Sequence, residues 1–139
     1  MGIKEDKHII LEKLNSPEFL KRIRKSNIST VIIFGSICTD EFHELSDVDI
    51  ALLSEDKINL DNILDIELFL ERYLQREVDV LDLRSNTLDI FIKMNILNSS
   101  KVIYSSDENK LLQKFCEDTH RIYKENEDFI YFRRMDVLS

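Results

Sequence analysis

The chain has 139 residues, 43% of them hydrophobic, and a formal net charge of −8. That length suits one domain, 1–139, with a core of its own, and the acidic balance excludes a general grip on a nucleic-acid backbone. Nowhere do eighteen apolar residues run together, so no membrane-spanning helix is expected.

The first residues, Met1 to Lys7, mix charges of both signs before the short apolar run Ile9-Ile10-Leu11, and no targeting signal is expected. Residues 4–14 read as a helix with Ile10, Leu11 and Leu14 on one side. Ser16-Pro17 reads as an N-cap followed by proline at the first helical position. The helix it opens turns Phe19, Leu20 and Ile23 inward and Lys21, Arg22, Arg24 and Lys25 to solvent. Thr30-Val-Ile-Ile-Phe34 is a short, β-branched, largely apolar run, the pattern of a buried strand, and it stops at Gly35-Ser36. A second strand runs from Asp47 to Leu53, with Asp47, Asp49, Ala51 and Leu53 on one face. Residues 60–76 form a long helix whose wet face carries Glu67, Glu71 and Arg72, and 77–83 a third strand. A helix over 87–98 is apolar on more than one face, so it is either buried all round or meets a partner. A short strand at 101–104 and a last helix, 108–132, complete the chain, the helix carrying Leu111, Leu112, Phe115, Ile122 and Phe129. The order predicts an α/β (α+β) fold, a small mixed sheet flanked by helices. One proline and two glycines leave little linker character, and Cys38 and Cys116, in no ligand-like spacing, read as reduced thiols of a cytoplasmic protein.

Chemistry concentrates in the carboxylates. Asp47 and Asp49 on one strand face stand roughly 6 to 7 Å apart, where like charges repel and desolvation costs more. Divalent cations between them reverse the balance, and hard oxygen ligands favour magnesium or manganese over zinc. Asp79, central in the third strand, is the natural third ligand; Asp82 competes but falls on the opposite face. Gly35-Ser36 offers close backbone approach to a phosphate plus a hydroxyl. His43, between the two motifs, reads as an exposed bystander.

Gly35-Ser36, ten residues, then Asp47-Val-Asp49 resembles the signature of polymerase β-like nucleotidyltransferases, and with the later Val78-Asp79-Val80 the chain resembles the minimal, MntA-type antitoxins. The resemblance implies that Gly35 and Ser36 hold the phosphates of ATP. It implies that Asp47 and Asp49 bind two magnesium ions, and that Asp79 completes the site and helps deprotonate the acceptor. It further implies transfer of AMP to a tyrosine of a HEPN-domain toxin, in a hetero-oligomer with that toxin, with no nucleic acid or membrane as partner. Many relatives carry arginines and a glycine where this chain has Ile37, Cys38, Thr39 and Asp40. Two other functions stay open. One is a non-catalytic module that masks a toxin by contact; the other is a transferase for a small molecule such as an aminoglycoside, for whose acceptor no further domain is expected.

Overall fold

The computed structural model describes residues 3–138, and the side-chain surroundings of residues 6–127. Helix α1 (Ile3–Lys13) buries Ile10, with Leu14 buried just beyond it, and α2 (Pro17–Lys25) buries Phe19 and Ile23. The start of α2 follows from its sequence. Ser16 Oγ accepts the Phe19 N–H at 3.3 Å, and proline takes the first position, where no N–H is needed. Then come β1 (Thr30–Phe34), β2 (Val48–Leu53), α3 (Leu60–Leu74), β3 (Val78–Asp82), α4 (Ile90–Asn98), β4 (Lys101–Ser105) and α5 (Lys110–Leu138).

The strands form one mixed sheet in the order β3-β2-β1-β4. β1 is antiparallel to both β2 and β4, whereas β2 and β3 are parallel, which requires the crossover that α3 supplies. This is the mixed α/β fold that the sequence predicts. Because side chains alternate along a strand, the sheet has two cores. On one face Val31, Ile33, Val48, Ile50, Leu52 and Val78 meet Phe19 and Ile23 of α2 and Ile66 and Leu70 of α3. On the other, Ile32, Ala51 and Leu53 meet Ile96 of α4 and Phe115 of α5.

Several boundaries differ from expectation, each for a local reason. The β2 ladder starts at Val48, so Asp47 stands just before the strand. α3 stops at Leu74 because Gln75 turns left-handed, φ 52°. α4 starts only at Ile90, where Asp89 Oδ1 accepts the Ile92 N–H at 2.9 Å. Its apolar surplus is shared out: Met94 and Ile96 are buried, Phe91 stacks edge-on with Tyr123 of α5 at 5.8 Å, and Ile92 stays 43% exposed. Glu67 departs from the wet face assigned to it, since its Oε1 accepts the Val80 N–H at 3.3 Å and covers part of the β3 edge. In α5, Leu111 and Leu112 pack against the core while Ile122 is exposed; Phe129 lies outside the described side chains. No described helix is long and apolar enough to cross a membrane.

Candidate active site

The site lies where β1 ends and β2 and β3 begin. The apolar run of β1 delivers the chain to Gly35, which opens a 3-10 turn, Gly35–Cys38. Gly35 has φ +78°, a conformation that favours glycine, and a Cβ placed there would collide with Asp49 Oδ2. Backbone and carboxylate therefore approach as closely as they do only because the side chain is a hydrogen. Ser36 follows, half-buried, and its carbonyl accepts both the N–H and the hydroxyl of Thr39 at 2.9 Å, which closes the turn.

Register then gathers the acids. Phe34 pairs with Asp49 across the antiparallel ladder, and Asp49 pairs with Asp79 across the parallel one, so these residues share the face that carries Ala51 and Leu81. One step earlier, Val48 is level with Val78 and donates its N–H to the Glu77 carbonyl at 3.0 Å. The preceding residues, Asp47 and Glu77, consequently lie side by side. Two acid-valine-acid triplets, Asp47-Val48-Asp49 and Glu77-Val78-Asp79, run in parallel with both valines buried and all four acids at the same end of the sheet.

The electrostatics follow from that arrangement. Burial, then the charges of Asp79 and Asp47, then a hydrogen bond with Asp79, push the Asp49 carboxyl up to about 6. Glu77 is also pushed up, by a hydrogen bond and charge repulsion from Asp47. The acids thus engage one another in two pairs, and among the described residues no three acid, thiol or imidazole groups close on a single point suited to a metal ion. The donor set is nonetheless that of a hard cation: carboxylate oxygens only, crowded enough that one holds its proton up to about pH 6.

Of the other residues singled out by sequence, Asp82 belongs elsewhere. It is buried on the opposite face, where Oδ2 accepts the Ile58 N–H at 2.8 Å and Oδ1 the Arg84 N–H at 3.0 Å. His43 is exposed, and its Nδ1 accepts the Leu45 N–H at 3.2 Å within a turn. Glu77 escaped the sequence reading, although its triplet echoes that of Asp47 and Asp49 and could have marked it. Two cations also come from distant segments to the turn after β1. Lys7 Nζ donates to the Thr39 carbonyl at 2.8 Å, and Lys101 lies near Cys38, whose thiol burial pushes up while the charges of Lys101 and Lys7 offset only part of that rise. A polar cavity of about 440 Å³, lined by Ser29, Ser54 and Asn62 among others, sits at the far end of the sheet, away from the acids.

Residues 18–109, well over half of the chain, match the family model described as polymerase beta, nucleotidyltransferase. No curated protein matches the chain. Among solved structures, a chain of a toxin-antitoxin crystallised with AMP-PNP superposes with a TM-score of 0.75 at 21% identity, covering 93% of this chain and 98% of that one. A chain of the tri-AMPylated Shewanella oneidensis HEPN toxin in complex with MNT antitoxin gives 0.70 at 18% identity, covering 96% and 99%. A chain of the toxin-antitoxin MntA-HepT gives 0.69 at 21%, covering 91% and 99%. At these identities the likeness is one of fold.

Proposed function

Because the chain belongs to the polymerase beta nucleotidyltransferase family, we propose that it is a magnesium-dependent adenylyltransferase that moves AMP from ATP to a tyrosine of a HEPN-type toxin and so acts as its antitoxin. The observation that carries this reading is the parallel pair of acid-valine-acid triplets opposite Gly35. Four acids set side by side cost stability, and among the described residues no cation forms an ion pair with them. Magnesium held by Asp47, Asp49 and Asp79 would supply the charge neutralisation that phosphoryl transfer needs. Gly35 brings the backbone close against Asp49, and with the hydroxyl of Ser36 that turn would hold a phosphate. Lys7 and Lys101 bring positive charge to the turn that lacks the arginines of many relatives. Asp79, the exposed member of its pair, receives the tyrosine proton as the new oxygen–phosphorus bond forms and pyrophosphate leaves. The solved relatives support the choice of nucleotide and acceptor, since one was crystallised with AMP-PNP and another contains a tri-AMPylated HEPN toxin. The reading places the protein in the cytoplasm, in a hetero-oligomer with its toxin.

The test is direct. The protein is incubated with the HEPN protein encoded beside it, ATP and magnesium, and the products are weighed by mass spectrometry. One or more AMP masses on a tyrosine are expected, and none with Asp49→Asn. Binding and silencing without added mass would replace the enzyme with a masking module. An ignored neighbour and an adenylylated aminoglycoside would replace the protein acceptor with a small molecule.

A further inference from the structure

Asp47 is the last residue of a loop, 39–47, that has neither helix nor strand to hold it. Its carboxylate is useful only if that loop is fixed. Part of the order is local: Phe42 is buried in the sheet core, and Ser46 and His43 close a turn, Ser46 N–H to His43 O and His43 N–H to Ser46 Oγ, both 3.0 Å. Lys7 holds the start of the loop at the Thr39 carbonyl, and the end next to Asp47 is held by another distant side chain. Arg76 donates from Nη1 to the carbonyls of His43 at 3.1 Å and Ser46 at 2.8 Å, and its guanidinium lies 4.8 Å from the centre of the Phe42 ring. Its other terminal nitrogen, Nη2, reaches Asp6 of α1 at 3.9 Å, and the side chain is only 14% exposed.

We propose that Arg76 is the positioning residue of Asp47, gripping the carbonyl of the residue before it and thereby fixing the acid for the cation that the site would hold. This rests on the enzymatic reading given above. Local structure explains how Arg76 comes to be there. Gln75 ends α3 in the left-handed conformation, φ 52°, and the Arg76 N–H turns back to the Glu71 carbonyl at 3.4 Å. That reversal sends the next residues, Glu77 to Asp79, into β3 beside Asp47 and Asp49. One arginine therefore links the two triplets: it belongs to the segment that delivers Glu77-Val78-Asp79 and holds the segment that delivers Asp47-Val48-Asp49. A flat fork suits the task, because it donates to two carbonyls in a fixed geometry while lying over the Phe42 ring, whereas an ammonium on a flexible stem is not pre-set for it.

Arg76→Ala, Arg76→Lys and Asp6→Asn are compared with wild type in the full chain. Hydrogen exchange reports the loop, and free Mn²⁺, titrated with protein and read by electron paramagnetic resonance, reports the site without any turnover. For Arg76→Ala the amides of residues 42–47 exchange faster and Mn²⁺ affinity falls by about tenfold or more, the range for groups that orient metal ligands. Arg76→Lys recovers part of that affinity, and Asp6→Asn, which leaves both carbonyl contacts intact, keeps it. Should Arg76→Ala fail to fold, as seen by circular dichroism, the lysine variant decides: unchanged affinity overturns the proposal. A wild type that binds Mn²⁺ and an Arg76→Ala protein that binds it equally well would overturn the positioning role alone. A wild type that takes up no Mn²⁺ would overturn the reading of the site as well.

Discussion

Asp79 and Asp82 stand on the same strand, three residues apart, and keep different company. Asp82 is buried and accepts two backbone N–H groups, from Ile58 and Arg84, so its charge ties the loop before α3 to the end of β3. Asp79 is exposed and faces Asp49, another acid. A carboxylate that serves the fold collects donors; one that serves a reaction is left among its own kind until a cation or substrate arrives. The contrast extends to the ends of the sheet. Where β3 finishes, Asp82 is matched to the backbone, and where β2 and β3 start, acids are stacked in two like-charged pairs.

Exchanging the two aspartates in turn gives the largest expected effects. Asp82→Ala leaves two N–H groups without their charged acceptor and should lower unfolding stability by about 2–4 kcal/mol, read from urea melts. Asp79→Asn should hardly change the melt yet slow AMP transfer by about a hundredfold or more, as loss of a group acting directly in the transition state does. A melt for Asp79→Asn as poor as that for Asp82→Ala would erase the distinction between them.

Gly35 sharpens the same contrast by asking how tightly backbone and acid must meet. Gly35→Ala forces a Cβ against Asp49 Oδ2 and keeps a left-handed φ that alanine disfavours. A loss of about 1–3 kcal/mol is expected, partly recovered in Gly35→Ala/Asp49→Ala, where the obstructing carboxylate is gone. Additive losses in the double variant, measured by the same melts, would mean that the glycine answers only to the turn.

Much of this was readable in the sequence because strong local signals happened to coincide with the site. Thr30–Phe34 carries the pattern of a buried strand, and Asp47 and Asp49, two residues apart, share a side of an extended chain. Alternation also put Asp79 and Asp82 on opposite faces, and the central place of Asp79 in its run favoured it. What escaped depends on contacts between distant segments. Glu77 gains meaning only when the parallel register sets it beside Asp47, and no single-strand pattern fixes register. Arg76 reads as the ordinary last residue of a helix, because its grip on His43 and Ser46 spans some thirty positions of sequence. Lys7 reaches Thr39 across a similar distance. Helix ends moved for a humbler reason: caps such as Asp89 and the left-handed Gln75 outrank the apolar periodicity that overran them.

The smallest effect concerns pH, and it turns the crowding of Asp49 into a measurement. Burial and the neighbouring Asp79 and Asp47 raise its carboxyl in the folded protein to about 6, against 3.8 for an unperturbed aspartate. Below about pH 4 folded and unfolded chains both hold the proton, and the group is neutral in its effect on stability. Between pH 4 and 6 the unfolded chain ionises while the folded one resists, so stability falls as pH rises, and above 6 the loss is complete and level. Since Asp49 is half-exposed, solvent screening limits the loss to about 1 kcal/mol. Other groups titrate in the same window, so the quantity to follow is the difference between wild type and Asp49→Asn, without metal, in urea melts taken from pH 4 to 8. The variant should gain on wild type by about 1 kcal/mol across that range. Millimolar Mg²⁺ at pH 7 should then close the gap, because a cation that binds the folded acids stabilises wild type by mass action and has lost a ligand in the variant. A difference that stays flat with pH would show that Asp49 ionises as freely in the folded chain as in the unfolded one, and that the stacked triplets carry no strain for a cation to relieve.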